Sequence, residues 1–355
     1  MMTAKTMTTK TTRRINVGAV AVGGGADVSV QSMTKTKTAD VEATVAQIKE
    51  LEAAGCEIIR AAVPNEEAAA ALSQIKKQIN IPLIADIHFD YRLALTAVAV
   101  GVDALRINPG NIGAPWKVKE VVAACADRGV PIRIGVNAGS LQKDLLEKYG
   151  HPTPEALVES AEQNVEILES LGFSAIKLSL KASDVPRTVE AYRLFSQRHD
   201  YPLHLGISEA GPSFSGIIKS AVGMGILLEE GIGDTMRVSL TAPPQEEVRV
   251  AWEILKSLGK RRRGLNLISC PTCGRCRVNL IEVVREAQER LRGIDKTVTV
   301  AIMGCEVNGP GEAREADYGL AGGNGEALIF KHGKVIKKVK QSDMLDELIK
   351  VISDD

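Results

Sequence analysis

Aromatic side chains make up only 3% of this 355-residue chain, too few for the stacking platforms on which single-stranded nucleic acid is bound. Net charge is missing as well. Lys and Arg total 44 and so do Asp and Glu, so bulk electrostatics draws the chain neither to nucleic acid nor to an anionic membrane. No apolar run is long enough to span a bilayer, and the first residues lack the apolar stretch and small-residue cleavage site of a secretory signal. A cytoplasmic protein is the expectation, and in that reducing compartment clustered cysteines point to metal or catalysis before disulfides. Large apolar residues are also scarce from Met1 to Arg14, a Thr- and Lys-rich opening that reads as a flexible tail covering residues 1–16.

What is present is a long alternation. From about Val28 to Leu258, short β-rich runs alternate with amphipathic stretches of helical period, the pattern of a parallel sheet with crossover helices. Strands are expected to begin near Val28, Glu57, Pro82, Asp103, Pro131, Ser174, Tyr201 and Asp234. Asp40 can cap the first helix, Val41, Val45 and Ile48 share a face, and Gly55 can end it in the left-handed conformation. Thr153 before Pro154 is a second start signal. Eight such units favour a closed (β/α)8 TIM-type barrel over an open doubly wound sheet, and Gly23 to Gly25 precede the first strand, where they serve a turn better than a phosphate loop. The length then allows one barrel, 17–260, and a smaller α+β domain, 265–355.

Strand parity carries the functional signal, because alternate side chains face the barrel interior and the helix layer. The fourth strand sets Leu105 and Ile107 against Arg106 and Asn108. The fifth sets Ile132, Ile134 and Val136 against Arg133, Gly135 and Asn137. The sixth opposes Ile176, Leu178 and Leu180 to Lys177, Ser179 and Lys181, and the eighth opposes Met236, Val238 and Leu240 to Arg237 and Ser239. Arg60 joins the polar face from the second strand, Asp86 and His88 from the third. Glu209 breaks the parity of the seventh but falls at its C-terminal end, where barrel enzymes place their chemistry.

Arg60, Arg106, Arg133, Lys181 and Arg237 thus converge on one mouth with only Asp86 and Glu209 to balance them. Such a set makes sense when an anion neutralises it, and guanidinium forks match a phosphate or diphosphate, with Asn137, Ser239 and His88 as further donors. The competing readings are internal pairing of each cation with acidic neighbours, and a Schiff-base lysine at Lys177 or Lys181 in a phosphate-binding lyase or aldolase.

Four of the six cysteines crowd the last quarter of the chain. Cys56 and Cys125 stand alone in apolar surroundings and read as small buried hydrophobes. Cys270, Cys273 and Cys276 make two overlapping C-x-x-C spacings, and Cys305 follows in Met303-Gly304-Cys305. Neighbouring thiolates closed by a distant one suit an iron-sulfur cluster; two well-separated pairs would suit structural zinc, which stays open as the alternative.

Five runs then carry a resemblance: Val30-Gln31-Ser32-Met33-Thr34, Ala85-Asp86-Ile87-His88-Phe89-Asp90, Arg106-Ile107-Asn108-Pro109-Gly110-Asn111-Ile112-Gly113, Ser208-Glu209-Ala210-Gly211 and Cys270-Pro271-Thr272-Cys273. In order and spacing the chain resembles the 4-hydroxy-3-methylbut-2-enyl diphosphate synthase family from roughly Val17 to its end, in the shorter two-domain form. The resemblance implies reductive ring opening and dehydration of 2-C-methyl-D-erythritol 2,4-cyclodiphosphate in isoprenoid precursor synthesis. It also implies a 4Fe-4S cluster on Cys270, Cys273, Cys305 and Glu312, with flavodoxin or ferredoxin as electron donor. By the same mapping Arg60, Arg106, Arg133, Asn137, Lys181, Arg237 and Ser239 grip the substrate, with Asp86 and His88 nearby and Glu209 supplying the proton for the departing hydroxyl. Cys276 departs from the family pattern and by spacing competes with Glu312. A barrel's last helix returns the chain to the face opposite the mouth, and the linker 260–264 is too short to lead around it, so a homodimer is expected in which each cluster serves the other chain.

Overall fold

The computed structural model describes residues 11–292, 296–305 and 309–355. The chain divides into two units between Arg261 and Arg262. The first opens with a hairpin, β1 (Ile15–Val17) and β2 (Val20–Val22). Eight parallel strands follow: β3 (Ser29–Met33), β4 (Ile58–Ala62), β5 (Leu83–Asp86), β6 (Ala104–Ile107), β7 (Ile132–Asn137), β8 (Ile176–Lys181), β9 (His204–Leu205) and β10 (Thr235–Met236). They pair in the order β8-β7-β6-β5-β4-β3-β10-β9, and a parallel bridge between Leu178 and Leu203 closes the ring. This is the (β/α)8 barrel the alternation predicts, each strand beginning one to three residues after its expected start.

Local chemistry sets the element ends as the sequence suggests. Asp40 accepts a hydrogen bond from the Ala43 amide, and Thr153 accepts one from that of Ala156, so each helix start has an orphan donor satisfied. Gly55 has φ +101° just past the first helix. The oily strand faces, including Leu105, Ile107, Ile132, Ile134, Ile176 and Leu178, are fully buried in the main core. Each such side chain contributes about 1.5–3 kcal/mol by leaving water. That stabilisation fixes register, because a slip of one residue would drive the charged face into the core.

The expected tail ends earlier than the composition suggests. Ile15 and Val17 are buried with Val22 against Ile58, Ile84 and Ala104, which lie two residues before Arg60, Asp86 and Arg106 and share their inward parity. The hairpin therefore plugs the N-terminal end of the barrel. Arg13 is tied down too: its backbone N–H donates to the Asp200 carbonyl, and its guanidinium pairs with the Asp200 carboxylate over the Tyr201 ring. Three apolar residues were enough to order this segment once a matching floor existed. Residues 1–10 lie outside the described residues.

The second unit is α+β, built on β11 (Leu265–Ser269), β12 (Val298–Met303), β13 (Tyr318–Gly322), β14 (Glu326–Lys331) and β15 (Lys334–Lys340) in that spatial order. The first three are parallel and the rest antiparallel. Period-2 alternation serves two cores: Val300 and Ile302 pack with the helices Leu280–Leu291 and Met344–Ser353, while Ala301 and Met303 join Ala316 and Phe330 on the other face. No helix among the described residues is long and apolar enough to cross a membrane.

Candidate active site

The C-terminal end of the barrel holds a cavity of about 320 Å3. Ten of the barrel residues singled out from sequence line it, with Lys177 outside its wall: Arg60, Asp86, His88, Arg106, Arg133, Asn137, Lys181, Glu209, Arg237 and Ser239. Ser179 and Ser208 complete the wall. Register explains the convergence, since Asp86 pairs with Arg106, Arg106 with Arg133, and Arg133 with Lys177 across four neighbouring strands. One row of the barrel thus sets an acidic side chain beside three basic ones.

Asp86 is the internal anchor. Arg106 Nη1 donates to its Oδ1 at 3.2 Å, and Arg60 Nε lies 3.6 Å from its Oδ2. Burial opposes its charge, but Arg60, Arg106 and Arg133 outweigh burial and hold the carboxyl below its usual range. Asp86 therefore stays ionised at neutral pH and acts as a fixed counter-charge. His88 sits half-exposed at the rim with both ring nitrogens 3.1 and 3.2 Å from Arg106 Nη1. Burial, and then the arginines against the pull of Asp86, lower its pKa, so it is a neutral imidazole there.

One carboxylate does not satisfy these cations. Arg133 is buried with Nε and Nη1 unpartnered, and Arg106 Nε also has no hydrogen-bond partner. Burial first, then Arg60 and Arg106, push Arg133 well below its ordinary range, and burial with Arg133 and Arg237 does the same to Lys181. A guanidinium keeps its proton in proteins, so this unrelieved repulsion is expressed as affinity for an anion. Two unit charges about 6 Å apart at an effective dielectric near 20 repel by about 3 kcal/mol.

Three features escaped the sequence. Glu247, on the helix Pro244–Ser257, is 2% exposed and reaches Arg237 Nε at 3.9 Å and Lys35 Nζ at 3.1 Å, so Arg237 has a helix-borne partner that strand parity could not reveal. Gly135 is the second: a Cβ there would stand 2.4 Å from Arg106 Nε, so the missing side chain is the space the guanidinium occupies. The third is the seventh strand, which ends at Leu205. Glu209 lies beyond it, exposed and at φ +45°, so strand parity does not govern its direction. A non-glycine residue in the left-handed region is uncommon and aims this carboxylate at the cavity rim.

In the second unit, Cys270, Cys273 and Cys305 line one cavity of about 160 Å3 with Pro271, Thr272, Arg275 and Met303. Ser269 pairs with Ile302 across β11 and β12, so the strands deliver Cys270 and Cys305 side by side from their C-terminal ends. Thr272 has φ +64°, a strained turn that brings Cys273 back to the same cavity. Cys276 does not line it. Its Sγ points to the Val278 carbonyl at 3.2 Å and packs where a Cβ on Gly304 would be, 2.3 Å away. Glu312 lies exposed on the helix Gly309–Glu315 and is not part of the cavity wall. Among the described residues no three His, Cys, Asp or Glu side chains close on a single ion. The three thiols surround a volume and not a point, and as soft donors they fit a multi-atom iron-sulfur group.

Gly135→Ala tests the packing of the mouth. The three atoms nearest the new methyl all belong to the far end of the Arg106 side chain. The strand should hold, with unfolding unchanged, while affinity for inorganic diphosphate measured by calorimetry falls about tenfold or more, the worth of one charge-assisted contact. Unaltered affinity would show that Arg106 is not placed by that gap.

Known proteins supply an independent comparison. The GcpE TIM-barrel domain model matches residues 12–252 and the GcpE protein C-terminal domain model matches residues 266–354. A protein of Geobacter sulfurreducens named 4-hydroxy-3-methylbut-2-en-1-yl diphosphate synthase (flavodoxin) is 65% identical, over 95% of this chain and 96% of its own. A protein of the same name from Thermodesulfovibrio yellowstonii is 62% identical, over 96% of this chain and 98% of its own. Among solved structures, dihydropteroate synthase of Yersinia pestis superposes with a TM-score of 0.51 at 11% identity, over 69% of this chain and 97% of that one, a likeness of fold alone. Matched by both domain models and by relatives of like length, the chain belongs to the GcpE family, the 4-hydroxy-3-methylbut-2-enyl diphosphate synthases.

Proposed function

We propose that this chain catalyses the reductive ring opening and dehydration of 2-C-methyl-D-erythritol 2,4-cyclodiphosphate to 4-hydroxy-3-methylbut-2-enyl diphosphate, a step of isoprenoid precursor synthesis. The observation that carries the reading is the barrel mouth: five cations around one cavity, with buried donors that no carboxylate satisfies. Arg60, Arg106, Arg133, Lys181 and Arg237 bind the diphosphate oxygens, and Asn137 and Ser239 add neutral donors that orient it. Asp86 holds Arg60 and Arg106 in place, and His88 offers a neutral nitrogen at the rim. The reaction consumes two electrons and one proton and releases water. Glu209 gives its proton to the departing hydroxyl, for which its position at the cavity edge suits it.

The electron chemistry belongs to the second unit. A 4Fe-4S cluster held by Cys270, Cys273, Cys305 and Glu312 supplies single-electron reduction there. The three thiols share a cavity, while Glu312 is the ligand for which no shared wall speaks. The carboxylate is nonetheless preferred to Cys276, whose sulfur is directed into the turn at Val278. The relatives' names support flavodoxin as electron donor, with ferredoxin the other small carrier able to serve.

A homodimer and a cytoplasmic setting complete the reading. Arg261, the last residue of the barrel unit, donates to the Val28 carbonyl at 2.9 Å and pairs with Glu57 while stacking over Trp252, all at the N-terminal end of the first two barrel strands. The chain therefore leaves the barrel opposite its mouth, and each residue of a linker adds at most about 3.6 Å. A cluster working on the mouth of a partner's barrel satisfies that constraint.

Three outcomes test the proposal. Glu209→Gln should keep cluster absorbance and substrate affinity while turnover with a low-potential reductant falls at least about a hundredfold, the usual worth of a positioned acid; undiminished turnover would take Glu209 out of the mechanism. Cys276→Ser should purify anaerobically with a full complement of iron, whereas Cys305→Ser should lose it. Mixing a barrel-dead chain such as Arg133→Met with a cluster-dead chain such as Cys270→Ser should restore activity in the mixed dimer, and inactivity of every mixture would remove the between-chain site.

A further inference from the structure

Below the cavity the barrel carries a second polar layer that the diphosphate grip leaves unused. Lys177 of β8 shares the inward parity of Ser179 and Lys181 and pairs in register with Arg133. It is 1% exposed, does not line the cavity, and its Nζ has no hydrogen-bond partner. The charged and titratable groups that act on it are Arg133 from β7, Arg60 from β4, Asp234 just before β10 and His204 from β9. Asp234 is occupied elsewhere: its Oδ1 accepts from Thr12 Oγ1 and its Oδ2 from the Leu203 amide, both at 2.7 Å. His204 is fully buried, fixed through Nδ1 by Thr235 Oγ1 at 2.6 Å, with Nε2 unpartnered. The β1–β2 hairpin seals this layer from below.

An ammonium in that place would bury three unsatisfied donors beside two guanidiniums, and among the described residues no carboxylate hydrogen-bonds it. A neutral amine removes the repulsion, and an anion arriving above reverses the balance. We propose that Lys177 is a charge-compensating residue beneath the site, a neutral amine in the empty barrel that takes a proton from solvent when a diphosphate binds in the mouth. It acts through Arg133 and is a positioning residue. Burial, then Arg133 and Arg60 against the weaker pull of Asp234, bring its pKa down from 10.5 to about 7, which agrees with this assignment. The chemistry above gives the device a use. The cyclic diphosphate carries one charge on each phosphorus and the opened ester one more, so the proton taken up on binding is held more firmly as the ring opens, with no side chain having to move. The proton returns to solvent when the product leaves.

The inference rests on the barrel mouth being a diphosphate site. The sign follows from the lowered pKa: below about pH 6 Lys177 is already charged and binding draws no proton to it, whereas near pH 8 uptake at this residue approaches one. The oxidised holoenzyme, without reductant, is titrated calorimetrically with 2-C-methyl-D-erythritol 2,4-cyclodiphosphate in buffers of different ionisation enthalpy. The probe suits the purpose because its phosphodiester groups do not titrate near neutrality. Wild type should take up at least about half a proton more than Lys177→Met near pH 8 and little more near pH 6, while contributions of Lys181, His88, His204 and Asp234 persist in both. Lys177→Arg, whose charge is fixed, should also lose the extra uptake and replaces Lys177→Met if that variant does not accumulate. Equal uptake in wild type and variant, or none in wild type near pH 8, overturns the role of Lys177 and leaves the diphosphate reading standing. Failure of the wild type to bind the cyclic diphosphate at all would overturn both.

Discussion

Repulsion among cations is the constraint around which the barrel is organised. Arg60, Arg106, Arg133, Lys181 and Arg237 surround one cavity, yet among the described residues Asp86 is the only buried carboxylate in its wall, with Glu247 behind Arg237 as outside support. The energy needed to hold such a set together comes from the opposite faces of the same strands, where full burial under the helices fixes the register. Stability and function thus sit on alternate residues of single strands. Neither can slip by one position without destroying the other.

The same division recurs at the ends of the barrel. At the bottom, Ile58, Ile84 and Ala104 continue the inward columns of Arg60, Asp86 and Arg106 as an apolar floor, and the β1–β2 hairpin closes it. At the top, Gly135 leaves room for Arg106, and Gly206 leaves room for Lys181, whose Nζ a Cβ there would meet at 2.4 Å. Interior polarity grades from sealed hydrocarbon through a buried amine and imidazole to an open ring of guanidiniums. That gradient turns the electrostatic demand toward the mouth.

Backbone strain marks both candidate sites. Among the described residues the non-glycine positions with positive φ are Glu209, Thr272 and His332. His332 turns the hairpin between β14 and β15, where such a conformation serves the turn. The other two stand at the barrel rim and between the two thiols of the C-x-x-C turn, where regular structure would aim a side chain elsewhere. In the second unit, adjacent parallel strands provide the rest of the alignment by ending side by side below Cys270 and Cys305.

Much of this was legible in the chain itself. Period-2 alternation assigned Arg106, Arg133, Lys177, Lys181 and Arg237 to the inward face, because the pleat makes direction a matter of odd and even. Cysteine spacing singled out Cys270 and Cys273, because two thiols three residues apart can share one cavity on a tight turn. The sequence did not disclose the ordered hairpin at Ile15, whose burial depends on a floor built from three distant strands, nor Glu247, which reaches Arg237 from a helix. Cys276 and Cys273 look alike in the sequence, and only the path of the turn separates a sulfur in the cavity wall from one directed at Val278. Local pattern determined which side chains point inward, since that is a property of neighbouring residues. Which inward groups find partners, and which are left with charge to spend on a ligand, was decided by closure of the barrel, because pairing depends on distances between strands far apart in the chain.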